Sequence, residues 1–218
     1  MRRLWTCIPL LFLPALAHAQ SALDVNVNFG GAWNSATGLG IDNLNSSNAL
    51  GVCIPRSADT FCQATSKLDG FFLGFGGDII FRQKLGVGAE VNFQPMHQDY
   101  GPLRSRQTFI DVNGIYDPYI SKRATVQLQG GIGSARTSFT IAQNSCVGTA
   151  VCSKQVSSLG SANHFQVHLG AGLQIAVTEH IFIRPQFDLH YVPNFTDQYG
   201  SNWAPAATVA VGYHFGER

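Results

Sequence analysis

Ionisable side chains interrupt an otherwise apolar stretch near the carboxyl end of this chain. In FIRPQFDLHYV, residues 182–192, Arg184, Asp188 and His190 stand among phenylalanine, isoleucine, leucine and tyrosine. A guanidinium, a carboxylate and an imidazole in apolar surroundings could pair as ions or exchange protons. Which of these the protein uses depends on the secondary structure that positions the three side chains.

Counting by twos separates the apolar residues from the ionisable ones, as a β-strand does with alternate side chains. Ile181, Phe187 and Leu189 fall on one face, whereas Arg184 and Asp188 fall on the other. Seven further segments alternate in the same way, and no apolar face carries a charge. The eight segments are 24–33, 70–82, 85–94, 110–116, 124–132, 165–175, 181–191 and 207–215. This pattern predicts eight strands, each with one apolar and one polar face.

The polar faces consist of glutamine, asparagine, glycine and a few charged residues, without any lysine. Charged residues make up 12% of the 218 residues, about half the share of roughly 25% that is usual in soluble domains. A water-exposed face would normally carry many lysines and glutamates, so these faces favour a crowded polar interior. The apolar faces would then point into lipid, where an open sheet edge is intolerable and the sheet has to close.

Short and long connections alternate between the predicted strands. The short connections are 83–84, 117–123 and 178–180, and the long ones are 34–66, 95–107, 134–163 and 192–203. Short periplasmic turns that alternate with long outer loops are typical of bacterial barrels. We therefore predict an all-β fold, an eight-stranded antiparallel up-and-down transmembrane β-barrel with both termini on the periplasmic side.

The last predicted strand ends in VAVGYHF, in which Val209, Val211, Tyr213 and Phe215 share the apolar face. This run resembles the terminal strand of outer-membrane barrels, which alternates in the same way, ends in an aromatic residue and serves as the assembly signal. The match is imperfect, because three further residues follow the last aromatic residue here. Taken together, the eight segments resemble the small outer-membrane β-barrel family of the OmpA/OmpX type.

The resemblance implies a location in the outer membrane of a Gram-negative-type bacterium. It also implies contact with outer-membrane lipid and lipopolysaccharide, insertion by the barrel-assembly machinery, and a monomer. The formal net charge of +1 gives no electrostatic reason to expect nucleic acid as a partner. Residues 1–19 are expected to be a signal peptide, since Arg2 and Arg3 precede a short apolar run and a small-x-small cleavage site. The barrel domain is then expected to span 20–218.

Several charged residues are predicted to meet inside the barrel. An eight-stranded barrel has an interior that side chains just fill. Asp78, Glu90, Asp111 and Arg184 all lie at a similar depth from the nearest periplasmic turn. We therefore predict a lumen ion cluster in which Arg184 reaches Asp78, Glu90 or Asp111 and blocks a wide channel. Asp188 belongs to this cluster but lies about 13 Å along the strand from Arg184, too far for a direct pair.

Three histidines, His168, His190 and His214, also fall on the polar faces. We expect them to be hydrogen-bonded residues of the lumen, because no catalytic trio occupies an outward position and no metal-ligand spacing stands out. No glycine-rich run resembles a phosphate-binding loop. The chain is therefore predicted to be non-enzymatic, without a metal or another cofactor.

Four cysteines lie in two of the long connections, Cys53 and Cys62 in the first and Cys146 and Cys152 in the third. Four cysteines allow three pairings, and the oxidising route to the outer membrane favours disulfides. We expect the two local pairs, Cys53–Cys62 and Cys146–Cys152. Pairs between the two loops remain an alternative, and the spacing does not suggest a zinc site.

These patterns predict a non-enzymatic integral outer-membrane protein with a surface or envelope role that its long outer loops carry out. A narrow porin-like channel for ions or small solutes is the first alternative. A soluble extracytoplasmic ligand-binding barrel is the second.

Overall fold

The structure is a computed structural model, and it describes residues 22–35, 53–55, 60–62, 67–81, 84–100, 103–147 and 151–216. The predicted signal peptide, residues 1–19, lies outside these ranges. No helix among the described residues is long and apolar enough to span a membrane.

Nearly all of the described chain is β-strand. The strands are β1 (Ala22–Ala32), β2 (Cys53–Pro55), β3 (Thr60–Cys62), β4 (Phe71–Phe81), β5 (Leu85–Phe93), β6 (Gln98–Tyr100), β7 (Leu103–Ile120), β8 (Ala124–Val147), β9 (Val151–Ala176), β10 (Ile181–Tyr191) and β11 (Trp203–Phe215). A single turn of 3-10 helix, Phe195–Asp197, lies between β10 and β11.

Eight of these strands pair in an antiparallel ring in the order β1, β4, β5, β7, β8, β9, β10 and β11. Pairing between β11 and β1 closes the ring, with Val25 opposite Tyr213 and Phe29 opposite Val209. Strands β2 and β3 form a separate hairpin, and β6 pairs with the start of β7. The predicted all-β, eight-stranded, up-and-down barrel is confirmed.

The barrel exposes its apolar residues and buries its polar ones. Phe75 on the outer wall is 52% exposed, whereas Gln166 on the inner wall is fully buried. Aromatic side chains are exposed near both ends of the wall: Trp33, Phe71, Tyr191 and Trp203 at one end, and Tyr116, Tyr213 and Phe215 at the other. This polarity, with aromatic belts at two levels, is that of a lipid-facing barrel and opposite to that of a soluble protein.

Inward-facing glycines make room for long polar side chains on neighbouring strands. A Cβ atom added to Gly172 would lie 3.2 Å from Cγ of Arg184, and one added to Gly133 would lie 2.5 Å from Oδ1 of Asp111. The alternating glycines therefore have a packing role, because the lumen of an eight-stranded barrel has little spare volume.

The prediction of a loop at 134–163 is wrong over most of that range. Strand β8 continues to Val147 and β9 starts at Val151, so the two form a long hairpin. They contain 24 and 26 residues, whereas a membrane crossing needs about 9–11. The register shifts once, between Phe139 and Thr140. The shift lies near Gly160, whose positive φ of 139° suits glycine.

The predicted loop at 95–107 is also shorter than expected, because β6 and the start of β7 pair within it. Arg104 is opposite Asp99 in this short ladder. Strand patterns of only three residues are too short for alternation to reveal them in a sequence.

The backbone register places the cysteines in two opposed pairs. Cys53 is opposite Cys62 in β2–β3, and Cys146 is opposite Cys152 in β8–β9. Residues directly opposite each other in antiparallel strands have Cα atoms about 4.5–5.5 Å apart, within the range of about 4.4–6.8 Å that disulfides use. The backbone therefore supports the local pairing, which stays a prediction.

Peptide mapping of the oxidised protein under non-reducing conditions is expected to recover one peptide pair that joins 53 to 62 and another that joins 146 to 152. Each bridge closes a small ring, so reduction is expected to cost about 2–3 kcal/mol at most and to leave the barrel folded. Peptides that join 53 to 146 or 152, or four free thiols, would contradict the assignment.

Candidate functional site: the polar lumen and its two closures

Apolar side chains close the periplasmic end of the lumen. Ala22, Ile80 and Ile115 form a buried cluster there. The buried ring of Phe182 packs over Gly212 of the neighbouring strand, where any larger residue would collide with it. The inner faces of four strands thus supply an apolar level near the periplasmic end of the lumen.

The first polar level holds the buried guanidinium. Arg184 is 1% exposed, and its Nη1 donates to Oδ2 of Asp78 at 2.7 Å. The same nitrogen donates to the side-chain oxygen of Gln127. A second buried acid, Asp24, pairs with the ring of His214. Arg184 thus reaches Asp78, one of its three predicted partners, across the lumen from β10 to β4.

The second polar level contains carboxylates that accept hydrogen bonds from side-chain amides. Gln166 donates to Oδ1 of Asp111 at 2.6 Å, and His168 Nδ1 lies 3.3 Å from that oxygen. Asp188 accepts from Gln129 at 2.9 Å and from Gln186 at 2.8 Å. Side-chain amides therefore supply much of the hydrogen bonding that the buried carboxylates require.

Glu90 completes the set of predicted lumen residues. It accepts a hydrogen bond from Asn92, two residues along β5, and it is opposite Asp111 in the β5–β7 register. The predicted cluster is thus divided into neighbouring contacts: the Arg184–Asp78 pair, and the carboxylates of Glu90, Asp111 and Asp188 above it. No direct contact between Arg184 and Asp188 appears among the described residues. That the cluster blocks conduction stays a prediction.

Negative charge predominates among the buried ionisable groups. The buried carboxylic acids of the described chain are Asp24, Asp78, Glu90, Asp111, Asp117 and Asp188, and its buried guanidinium is that of Arg184. Because one arginine cannot balance this set, the lumen has an excess of carboxylates that favours cations.

The outer end of the lumen is closed by the connection between β10 and β11. Val192, Phe195 and Tyr199 of this connection are buried against Leu68 and Phe72. Phe109 extends the cluster inward, where its ring stacks on His190 with centroids 4.6 Å apart. The predicted long connection at 192–203 is present between the end of β10 at Tyr191 and the start of β11 at Trp203. Its apolar side chains turn into the barrel mouth, which removes them from water.

Polar contacts hold this closure in place. Gln198 lies 2.8 Å from Nε2 of His164, and its oxygen accepts from the Thr137 hydroxyl at 3.0 Å. The backbone N–H of Gly200 donates to the carbonyl of Ser35 at 2.7 Å. The closure therefore contacts three other parts of the barrel: the β1 end, β8 and β9.

The structure also brings together residues that the sequence could not group. His168 of β9 is opposite His190 of β10, with ring centroids 5.2 Å apart. Asp111 of β7 joins them from across the lumen. The three positions lie on different strands, so no spacing along the chain indicates them.

The closed ring, the apolar outer wall and the polar interior define an integral membrane β-barrel. Residues 5–215 match the family model described as outer membrane protein beta-barrel domain, and the chain belongs to this family. The protein is accordingly located in the outer membrane of a Gram-negative bacterium. No curated protein sequence matches the chain.

Two solved structures illustrate the likeness in fold. The Yersinia pestis attachment invasion locus protein Ail is 12% identical with a TM-score of 0.50, and the match covers 90% of this chain and 99% of Ail. Neisserial surface protein A is 12% identical with a TM-score of 0.51, and the match covers 89% of this chain and 98% of that protein. At such low identity the likeness concerns the fold alone.

Replacing Arg184 by alanine is expected to destabilise the barrel by about 3–5 kcal/mol, because the carboxylate of Asp78 is left buried without its cation. Urea unfolding in detergent, followed by the gel shift between folded and heated barrel, measures the change. Arg136→Ala removes an exposed arginine and serves as the control, with an expected change within about 0.5 kcal/mol. Equal stability of the two variants would contradict a structural role for the ion pair.

Proposed function

We propose that this protein is a non-enzymatic outer-membrane barrel that acts at the cell surface through its outer end and does not conduct. The observation that carries the proposal is the filled lumen, which apolar clusters cover at both ends. Phe182 lies on the periplasmic side of the Arg184 level, and Phe195 and Tyr199 lie at the outer end of the lumen. A path for solutes would have to pass both apolar closures and the Arg184 level.

The filled interior also argues against catalysis. The ionisable residues of the lumen, such as His168 and Asp111, are 2% exposed. A substrate from the lipid or from the medium has no described route to them. The proposed activity therefore resides on the outside of the barrel.

The long β8–β9 hairpin is the most prominent feature available for a surface role. Both strands continue well past the barrel wall, and their paired register persists to Val147 and Val151. A paired hairpin presents a more fixed surface than a loop of the same length, because each backbone ladder restricts its neighbour. The predicted Cys146–Cys152 bridge would restrict its tip further.

An arginine pair on the outer wall suggests which lipid the protein contacts. Arg106 of β7 is opposite Ser138, and Arg136 of β8 is opposite Thr108, so the two arginines are diagonal neighbours. The guanidinium carbon of Arg106 lies 5.3 Å from the ring centroid of Phe93. The pair thus lies just beyond the aromatic side chains toward the outer end of the barrel, where lipid headgroups are expected.

Two guanidinium groups at this level favour phosphate as a ligand, because arginine binds phosphate in a bidentate fashion. The exposed apolar side chains below the pair, among them Ile110, Ile132 and Phe165, suit acyl chains. We therefore propose that the pair binds the phosphates of lipopolysaccharide, with its acyl chains lying against the apolar wall.

In a planar bilayer the purified protein is expected to show no steady conductance, because both closures and the Arg184 level obstruct the lumen. The variant with Phe195→Ala and Tyr199→Ala removes the outer closure alone, and it should also stay closed. Stepwise openings of the unaltered protein, at a constant unit conductance, would favour the narrow channel instead.

The double variant Arg106→Ala, Arg136→Ala is expected to bind lipopolysaccharide at least about tenfold more weakly, since it loses charge-assisted hydrogen bonds. Titration of the barrel in detergent with lipopolysaccharide, followed by the rise in unfolding temperature, measures the affinity. The matched control Lys122→Ala, Arg123→Ala removes two basic residues from the opposite rim. Equal losses in both double variants, or binding that is unchanged by dephosphorylating the lipid, would contradict the proposal.

A further inference from the structure

Three potential metal ligands converge within the lumen, just below the outer closure. One ligand atom each of Asp111, His168 and His190 lies within 4.8 Å of the other two. The Oδ1 atom of Asp111 and the Nδ1 atom of His168 are 3.3 Å apart. Two ligands of a tetrahedral zinc ion, each bonded at about 2.0–2.2 Å, have a similar separation.

We propose that Asp111, His168 and His190 form a buried binding site for one divalent transition-metal ion. Two imidazole nitrogens and one carboxylate oxygen are a donor set that suits zinc, copper, nickel or iron, whereas magnesium and calcium prefer oxygen alone. Zinc is the ion with which the site is best tested, because it accepts tetrahedral nitrogen and oxygen ligands without redox chemistry.

An unpaired ring nitrogen is an independent observation that points to a bound ion. The Nδ1 atom of His190 is buried and makes no hydrogen bond within the described structure, whereas the Nδ1 atom of His168 lies beside Asp111. His190 is only 4% exposed, and its ring is held against Phe109. A buried polar atom without a partner costs about 1–3 kcal/mol. The simpler interpretation, a hydrogen-bonded lumen histidine, accounts for His168 beside Asp111 but leaves the His190 nitrogen unexplained, whereas a bound metal ion would satisfy it.

A neighbouring side chain also supports one of the three proposed ligands. Gln166 donates to Asp111 at 2.6 Å and so orients the carboxylate, as outer-shell partners commonly do.

Charge in the lumen favours a cation at this position. Glu90 is opposite Asp111 in the β5–β7 register, and Asp188 lies two residues from His190 on the same face. Carboxylates thus surround the site, while the buried guanidinium of Arg184 is paired with Asp78 below. A divalent ion would offset this excess of negative charge.

The test refolds the untagged barrel in detergent with Zn²⁺, since both ends of the lumen are closed once the barrel forms. Loosely bound ions are removed with a chelator and by gel filtration, and the metal content of the folded chain is measured. One zinc ion per chain is expected. Refolding with Co²⁺ instead is expected to give the visible absorption of a four-coordinate ion with nitrogen ligands.

Variants then assign the ligands. His168→Ala and His190→Ala are expected to lose retained zinc, and Gln166→Ala is expected to bind it about 10–100-fold more weakly. His214→Ala is the matched control, because His214 is also a buried histidine beside a carboxylate, Asp24. It should keep one zinc ion per chain.

Each other outcome overturns the proposal. No retained metal in the unaltered barrel excludes the site. Retention that survives in His168→Ala and His190→Ala, or that His214→Ala loses equally, places the ion elsewhere. Should a histidine variant fail to fold, X-ray absorption of the unaltered zinc form decides: two imidazole ligands support the site, and any other number contradicts it.

Discussion

The closed ring of backbone hydrogen bonds is the constraint on which the rest of the structure depends. Lipid offers no partner to a free N–H or carbonyl group, so the sheet has to pair β11 with β1 and β5 with β7. Closing at eight strands fixes the width of the lumen, and only side chains fit inside. Long residues such as Arg184 are therefore accommodated where a neighbouring strand carries glycine, here Gly172.

This narrow lumen explains why glutamine is the prevailing partner for buried carboxylates. An amide can donate to a carboxylate without adding a charge that would need its own partner, as Gln129 and Gln186 do for Asp188. Lysine or arginine in the same places would bury a second charge beside each carboxylate, with its own desolvation cost. The buried guanidinium of Arg184 pairs with Asp78, and the carboxylates above this pair leave an excess of negative charge. That excess is the electrostatic setting of the proposed metal site.

Local periodicity predicted the wall of the barrel well, because alternate side chains along each strand point into the lumen or into the lipid. Alternation in 85–93 indicated which side chains point inward, and depth narrowed the partners of Arg184 to three acids, of which Asp78 is in contact. Features that depend on contacts between distant segments were missed. The β8–β9 hairpin beyond residue 134 looked like a polar loop, and Val192, Phe195 and Tyr199 revealed no periodicity that would place them in the mouth. The convergence of Asp111 with two histidines depends on register across β7, β9 and β10.

Strand β8 lies between the strands that carry Asp111 and His168, and it continues into the long outer hairpin. Asp111 is opposite Gly133 of β8, and Gly133 is opposite Gln166 of β9. A metal ion held by Asp111, His168 and His190 would link β7, β9 and β10. Strands that are linked inside the lumen resist splaying, and one of them, β9, continues with β8 into the outer hairpin. The proposed metal site, although it has no access to substrate, would therefore support the proposed surface role by bracing the base of the outer hairpin.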